Sequence, residues 1–342
     1  MAKNKDVEIS VVVPCYNSEK YIERALLPLC NQTYKNYEII CVDDGSSDNT
    51  VKILKQYSKK YDFFRFVVKE NDRSKTTILV GLKETLGKYI CVVDNDDIIT
   101  NDYLEVLYNR IIEEDADISV CGFQRQSANT GKIISTEMNK RNDCLNVYDN
   151  CGELLEINTS LWNKMIKRDL IIPYLKEKEL FSMDMLFMIF IYAKAKRIAF
   201  TDKILYFYQV SESSSINNMK IDYLNDIQKA LLVIKKYYLN TNKEMYSFLC
   251  TYVFLHIAVS LNFRFYSSNC FKEAYKSNKI YLKEHFNEWR RSKYLRLTYV
   301  LKNHGKNMKL YICKVFYKIH LFKLFLFLYN FVVKKLKFEI KW

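Results

Sequence analysis

Tyr37-Glu38-Ile39-Ile40-Cys41-Val42-Asp43-Asp44-Gly45-Ser46-Ser47-Asp48 holds the reading that decides the fold. Its apolar half has the continuous hydrophobic character of a strand covered on both faces. Its polar half sets two carboxylates and a glycine directly after that strand, where turn chemistry is expected. Tyr89-Ile90-Cys91-Val92-Val93-Asp94-Asn95-Asp96-Asp97 repeats the pattern. Ile9 to Val13 is a further buried strand, and Phe63–Val68 and Asp117–Gly122 read as two more. Between them lie helical patterns. Tyr21 to Leu29 follows Ser18 as a cap, with a kink at Pro28; a second helix begins at Asp48. Ile78–Leu86 stops near Gly87, and a helix capped by Thr100 runs to about Glu114. Strands alternating with helices of this length predict an α/β fold with a mostly parallel sheet.

In open parallel sheets ligands bind beyond the carboxyl ends of the strands. Acids placed immediately after buried strands are poor packing choices. Helix capping accounts for Asp48 and is open for Asp97, but not for two acidic pairs at one edge. Asp94 and Asp96, two positions apart on a turn, suit a hard divalent cation, Mn²⁺ or Mg²⁺, shared with a diphosphate. An acid after another strand can hydrogen-bond a base or ribose. The chain contains neither G-x-G-x-x-G nor G-x-x-x-x-G-K-[ST], which argues against NAD and P-loop chemistry.

Val11-Val12-Val13-Pro14-Cys15-Tyr16-Asn17, the segment from Asn31 to Asp48, and Val93-Asp94-Asn95-Asp96-Asp97 resemble inverting family 2 glycosyltransferases of the GT-A fold. The likeness is dense over residues 7–124, weaker through 160–216, and absent beyond about 220. It implies a nucleotide-diphospho-sugar donor, usually a UDP-sugar, and a hydroxyl acceptor on a glycan or lipid-linked oligosaccharide. By this resemblance Pro14 and Tyr16 line the base pocket, and Asp44 meets uracil or ribose with Asp43 close by. Asp94-Asn95-Asp96 matches the D-x-D motif, with Asp94 facing the ribose or sugar and Asp96 as the main metal ligand. Asp184, in Phe181-Ser182-Met183-Asp184-Met185, takes the place of the general base; the alternative is a plain helix cap. Trp162 and Lys164 fall in the segment before the base. Trp162 is open between packing on an acceptor sugar and simple core. The sequence also departs from the family. Ile78 and Leu79 stand where Arg and Asn are usual, with Arg73 or Lys75 as a substitute cation. Met183 replaces a Glu, and Gln209 an Arg after Tyr206-Phe207-Tyr208. A catalytically degenerate relative and a membrane-peripheral binding or scaffold protein are the rival readings.

The composition frames this. With 49% hydrophobic and 15% aromatic residues in 342, the chain is not disordered. Ten Cys without a C-x-x-C pair, and four His without paired ligand spacing, argue against a structural zinc site. Cys41 and Cys91 read as reduced core residues. The net charge of +14 first suggests nucleic acid, but its location does not. Residues 285–342 hold 14 Lys and Arg against two acids, a net +12, so the preceding body carries only +2. We expect domains at 1–219 (catalytic, GT-A) and 220–342 (helical, basic). Cations interleaved with aromatics suit single-stranded nucleic acid, an interfacial helix on anionic lipid, or a solvated helical subdomain. No nucleic-acid module is recognisable, so the expected partner is an anionic membrane surface. A polar Met1–Glu8 predicts no signal peptide, and no apolar run in the tail reaches the roughly 20 residues of a span. The expected place is the cytoplasm, peripheral on the inner membrane face.

Overall fold

The computed structural model describes residues 6–72, 76–181, 183–210, 221–266, 268–305 and 307–336. Two compact units divide the chain: Met1–Asn150 with Ile157–Ser214, and Cys151–Glu156 with Ser215–Trp342.

The first unit runs β1 (Ile9–Cys15), α1 (Ile22–Cys30), β2 (Tyr37–Asp43), α2 (Thr50–Lys60), β3 (Phe64–Val68), α3 (Thr77–Lys83) and β4 (Tyr89–Val92). It continues with β5 (Ile98–Ile99), α4 (Tyr103–Glu113), β6 (Ile118–Ser127), β7 (Ile133–Glu137), β8 (Cys144–Asn146), β9 (Lys164–Lys167), α5 (Asp184–Tyr192) and β10 (Arg197–Val210). The strands join one sheet in the order β3-β2-β1-β4-β9-β6-β10-β5, with β7 on β6 and β8 on β10. β1 pairs in parallel with β2, setting Cys15 beside Asp43, and with β4, setting Val12 beside Val92. Parallel strands in this register end at one edge, so Tyr16, Asp44 and Asp94 emerge together. Val11, Val13, Ile39, Cys41 and Cys91 are completely buried, as strands covered on both faces require. All ten cysteines are unpaired thiols.

The sequence pattern reads residues 125–160 as irregular and Ile198–Gln209 as strand–turn–strand, and both readings change. Residues 125–160 are not all irregular: β6 runs on to Ser127 and carries β7 as a hairpin partner, and β8 follows. Polar, half-exposed edge strands lack the hydrophobic alternation that reveals a strand in sequence. β9 enters antiparallel between β4 and β6. Ile198–Gln209 is one long strand rather than two, because register shifts against β6 after Phe200 absorb the polar Thr201-Asp202-Lys203 segment. Ser18 and Thr100 lie before helices whose caps, Tyr21 and Asp102, accept no side-chain bond.

The second unit is helical: α6 (Ile221–Tyr238), α7 (Lys243–Val253), a π-helical stretch Phe254–Ser260, α8 (Leu261–Phe265), α9 (Phe271–His285), α10 (Leu297–Lys302), α11 (Met308–Lys318) and α12 (Phe322–Leu336). The boundary is not one cut at residue 219. The 3-10 turn Cys151–Glu156 groups with the later helices, because Cys151 Sγ lies 2.9 Å from Tyr294 Oη and Gly152 packs against the Tyr294 and Tyr299 rings. A Cβ at Gly152 would come within 2.6 Å of the Tyr294 ring. The continuous helix Lys243–Phe265 is long and apolar enough to cross a membrane, yet 72% of its most apolar window is buried inside the protein.

Candidate active site at the carboxyl edge of the sheet

The loops after β1 and β2 are stitched to each other. Asn17, at φ 46°, donates its N–H to Ser46 Oγ at 2.8 Å and accepts the Ser47 N–H on Oδ1 at 2.8 Å. Asn tolerates this left-handed backbone better than most residues. Asp48 accepts the Glu19 N–H at 3.0 Å and the Thr50 N–H at 2.9 Å, so it caps the start of α2 and ties it to the other loop. Gly45, at φ +70°, brings its backbone so close to Asn71 that a Cβ would stand 3.0 Å from the Asn71 nitrogen.

The two acids after β2 do different work. Asp43 is fully buried and accepts from the Ser46 N–H and hydroxyl at 2.9 and 2.5 Å, which closes the turn. Asp44, also buried, meets the Lys69 ammonium, which bridges on to Asp72 at 2.8 Å. Asp44 Oδ1 also accepts the Asp72 N–H at 3.2 Å. Tyr16, the first residue beyond β1, leaves 46% of its surface open at this edge, beside the half-buried Pro14.

The turn after β4 concentrates negative charge. Asp94 and Asp96 are half-buried and Asp97 is buried. Desolvation, then the charges of Asp97, Asp184 and Asp96, hold the Asp94 carboxyl well above the usual carboxylate range. Burial also raises Asp96, against the pull of Arg24, whose guanidinium donates to the Asp96 carbonyl at 3.0 Å. Burial, then Asp96, pushes Asp97 up to about 8, although it accepts from the Gln209 N–H and the Tyr206 hydroxyl, both at 2.7 Å. Tyr206 Oη in turn accepts the Asp94 N–H at 3.2 Å. β10 therefore fixes the acidic turn from a distance of over 100 residues in sequence. Asn95 turns its amide to Ser18 Oγ and binds this turn to the loop after β1.

Asp184 opens α5 and accepts the Leu161 N–H at 3.2 Å. Burial raises its carboxyl, with the Leu161 N–H and Lys164 opposing. Asp94 feels the charge of Asp184, so these two expected site residues lie within electrostatic reach of each other. Lys164 is a correction, and Trp162, open in the sequence between acceptor contact and core, is packed as core. Lys164 does not face an acceptor: it is fully buried, and its ammonium donates to Asn158 Oδ1, the Ser160 carbonyl and Asn163 Oδ1 at 2.7–2.8 Å. It holds the loop that presents Leu161 to Asp184, while burial pushes its ammonium down to about 7. Trp162 is 8% exposed and stacks on Tyr206 and Tyr208, with centroids 4.5 and 5.4 Å away, while Phe123 meets it edge-on. Its ring is core that supports Tyr206.

Of the departures, Leu79 is buried in α3 and Ile78 is half-buried, so apolar packing takes the place of polar donor contacts there. Arg73 and Lys75 lie outside the described residues. Sequence reasoning missed Lys69, Arg24 and the Asp97–Tyr206 pair. The Tyr206-Phe207-Tyr208 segment was the available signal for the last, but its register against the acidic turn exists only in the folded sheet. Among the described residues no three His, Cys, Asp or Glu close a metal shell by themselves.

A doubly wound sheet that gathers carboxylates from two parallel strand ends and one helix start is a GT-A catalytic scaffold. A model described as Glycosyl transferase family 2 matches residues 10–190, more than half of the chain, and the chain belongs to that family. It is similar to glycosyltransferase GlyA of Streptococcus pneumoniae serotype 4, 30% identical over 218 residues, 61% of this chain and 31% of that protein. Cholesterol galactosyltransferase of Borreliella burgdorferi is also 30% identical over 218 residues, 59% of each chain. The chain thus spans about a third to three-fifths of the length of these curated relatives. Among solved structures, Staphylococcus aureus TarS residues 1–349 has a TM-score of 0.66 at 21% identity over 92% of both chains, a likeness of fold.

Proposed function

We propose that this chain is a glycosyltransferase that moves a sugar from a UDP-sugar to a hydroxyl of a lipid-linked glycan precursor, with inversion and with a divalent metal. The juxtaposition of Asp184 with Asp94 carries the reading: a candidate base on one helix shares an electrostatic neighbourhood with the acidic turn. A likeness to TarS, solved in complexes with UDP and with UDP-GlcNAc, supports the choice of donor class.

In this reading Tyr16 stacks on the base, and Asp44, oriented by Lys69, accepts hydrogen bonds from base or ribose. The residues fit Mn²⁺ or Mg²⁺: Asp94 and Asp96 are crowded carboxylates with Arg24 as a nearby cation, an arrangement that a divalent ion would relieve. Such ions commonly take one or two protein carboxylates and fill their remaining positions with phosphate oxygens and water, so an incomplete protein shell is expected. When bound, the ion supplies Lewis-acid stabilisation of charge on the departing diphosphate. Asp184 takes the proton of the acceptor hydroxyl as it attacks, and burial raises its carboxyl, which makes it a stronger base than an exposed aspartate. Attack opposite the leaving group inverts the anomeric centre.

The place of action in this reading is the inner face of the cell membrane, supported by exposed apolar residues on the basic helices. UDP release and transfer with Mn²⁺ across a donor panel test the reaction, comparing wild type with Asp96→Ala and Asp184→Asn. We expect Asp96→Ala to lose metal-stimulated UDP release. Asp184→Asn should lower kcat by 10²-fold or more with little change in donor affinity, the usual scale for a general base. Full activity of Asp184→Asn, or a retained anomeric configuration in the product, refutes the mechanism.

A further inference from the structure

The basic end of the helical unit contains a cavity that the transfer reaction does not use. The turn Lys293–Leu295, Arg296 and α10 meet α11 around a space of about 460 Å³, lined by Arg296, Leu297, Tyr311, Lys314, Lys318 and Ile319 among others, with no acidic residue in the wall. Lys314 is 7% exposed and donates to the Leu295 carbonyl at 2.6 Å, which fixes its ammonium in place. Lys318 follows one turn later, so both ammonium groups lie on the same side of α11. Burial, then the charges of Lys318 and Arg296, pushes the Lys314 ammonium down to about 8. Among the described residues, none of these three cations forms an ion pair. Three converging cations without a counter-charge are electrostatically incomplete, and an anion completes them.

The surroundings say which anion. α10 exposes Leu297 and Leu301, α11 exposes Val315, and Ile319 just after α11 is exposed; Leu297, Val315 and Ile319 line the cavity. α12 exposes Leu324, Phe327, Leu328 and Phe331, the i, i+3, i+4, i+7 stripe of an amphipathic helix with its apolar face uncovered. Phe327 and Phe331 are 56% and 57% exposed. A free phosphate needs the cations but not this apolar surface, whereas a phospholipid uses both.

We propose that the Arg296–Lys314–Lys318 cavity seats the headgroup phosphate of an anionic phospholipid, with the apolar stripes of α10, α11 and α12 entering the acyl boundary around it. This rests on the membrane-peripheral reading above and adds a defined headgroup site to it.

The test is sedimentation of the full chain with phosphatidylcholine vesicles prepared with and without phosphatidylglycerol. Arg296→Gln/Lys318→Gln alters two exposed side chains of the cavity; Lys302→Gln/Lys309→Gln removes the same charge from exposed positions of the same tail outside it. At about fivefold or slightly less per cation near an anionic surface, the cavity variant should bind phosphatidylglycerol vesicles about 10- to 30-fold more weakly. The control should lose no more than about threefold, with both variants retaining the wild-type circular dichroism. Equal losses in the two variants would mean diffuse attraction and overturn the cavity site while leaving peripheral attachment standing. A wild type that sediments with neither vesicle overturns both. Inorganic phosphate at millimolar concentration that releases the wild type from vesicles and raises its Tm, with no such rise in the cavity variant, makes free phosphate the ligand and overturns the lipid assignment.

Discussion

Tyr206→Phe removes one oxygen from the site and keeps the ring that Trp162 stacks upon. Two groups then lose a partner: Asp97 Oδ2, which accepts from Tyr206 at 2.7 Å, and the Asp94 N–H, which donates to it at 3.2 Å. A hydrogen bond to a charged group contributes about 1.5–3 kcal/mol, and an unsatisfied buried donor costs about 1–3 kcal/mol. Asp97 keeps the Gln209 N–H, so the lower half of each range applies. The sum is a destabilisation of about 2–4 kcal/mol. For a unit of this size each kcal/mol lowers Tm by about 2–4 °C, so thermal unfolding should begin to report a loss of about 4–16 °C. The same change loosens the turn bearing Asp94 and Asp96, and donor KM should rise. Tyr103→Phe is the comparison. Tyr103 is equally buried, but its hydroxyl donates to the Trp162 carbonyl at 2.8 Å and does not touch the acidic turn. It should cost stability without changing donor KM. Equal KM values for Tyr206→Phe and wild type, or equal increases in both variants, would refute the assignment of Tyr206 as the residue that positions this turn.

Two further outcomes follow from buried ionisable groups. Lys164→Met leaves three oxygens without a donor in the loop that feeds Asp184; we expect a loss of about 2–4 kcal/mol in urea unfolding and a lower kcat. His256, packed against Tyr252 with ring centroids 4.1 Å apart and near Arg264, is pushed down to about 3, first by burial and then by the Arg264 charge. Its folded-state pKa lies below the unfolded value, so stability is present above about pH 6.5 and is lost as pH falls toward 3, at up to about 1.4 kcal/mol per pH unit. His256→Leu should flatten that part of the stability–pH profile, measured by urea midpoints between pH 4 and 7.

Much of the catalytic scaffold is legible in sequence because its signals are local. A strand buried on both faces must be apolar without interruption, so Ile39–Val42 and Tyr89–Val93 declare themselves, and the acids that follow them mark the sheet edge. The polar strands β7 and β8 lack that contrast and read as loop. Asp43 and Asp44 look equivalent in the chain, yet one closes its own turn and the other pairs with Lys69 across a neighbouring loop. Lys164 looks like a surface cation and is among the most deeply buried side chains.

By itself the sequence determined the alternation of strands and helices, the edge at which carboxylates gather, and the segregation of positive charge into the tail. These depend on residue type and spacing along the chain, which physics reads over a few residues. The tertiary structure alone decided that Tyr206 and Gln209 hold Asp97, that Asp184 comes within electrostatic reach of Asp94, and that Trp162 is core. It alone decided that Arg296, Lys314 and Lys318 surround one cavity. Each of these joins residues brought together by strand register or helix packing, and the cost of burying a charge or an unpaired donor is set only when the surrounding protein has excluded water.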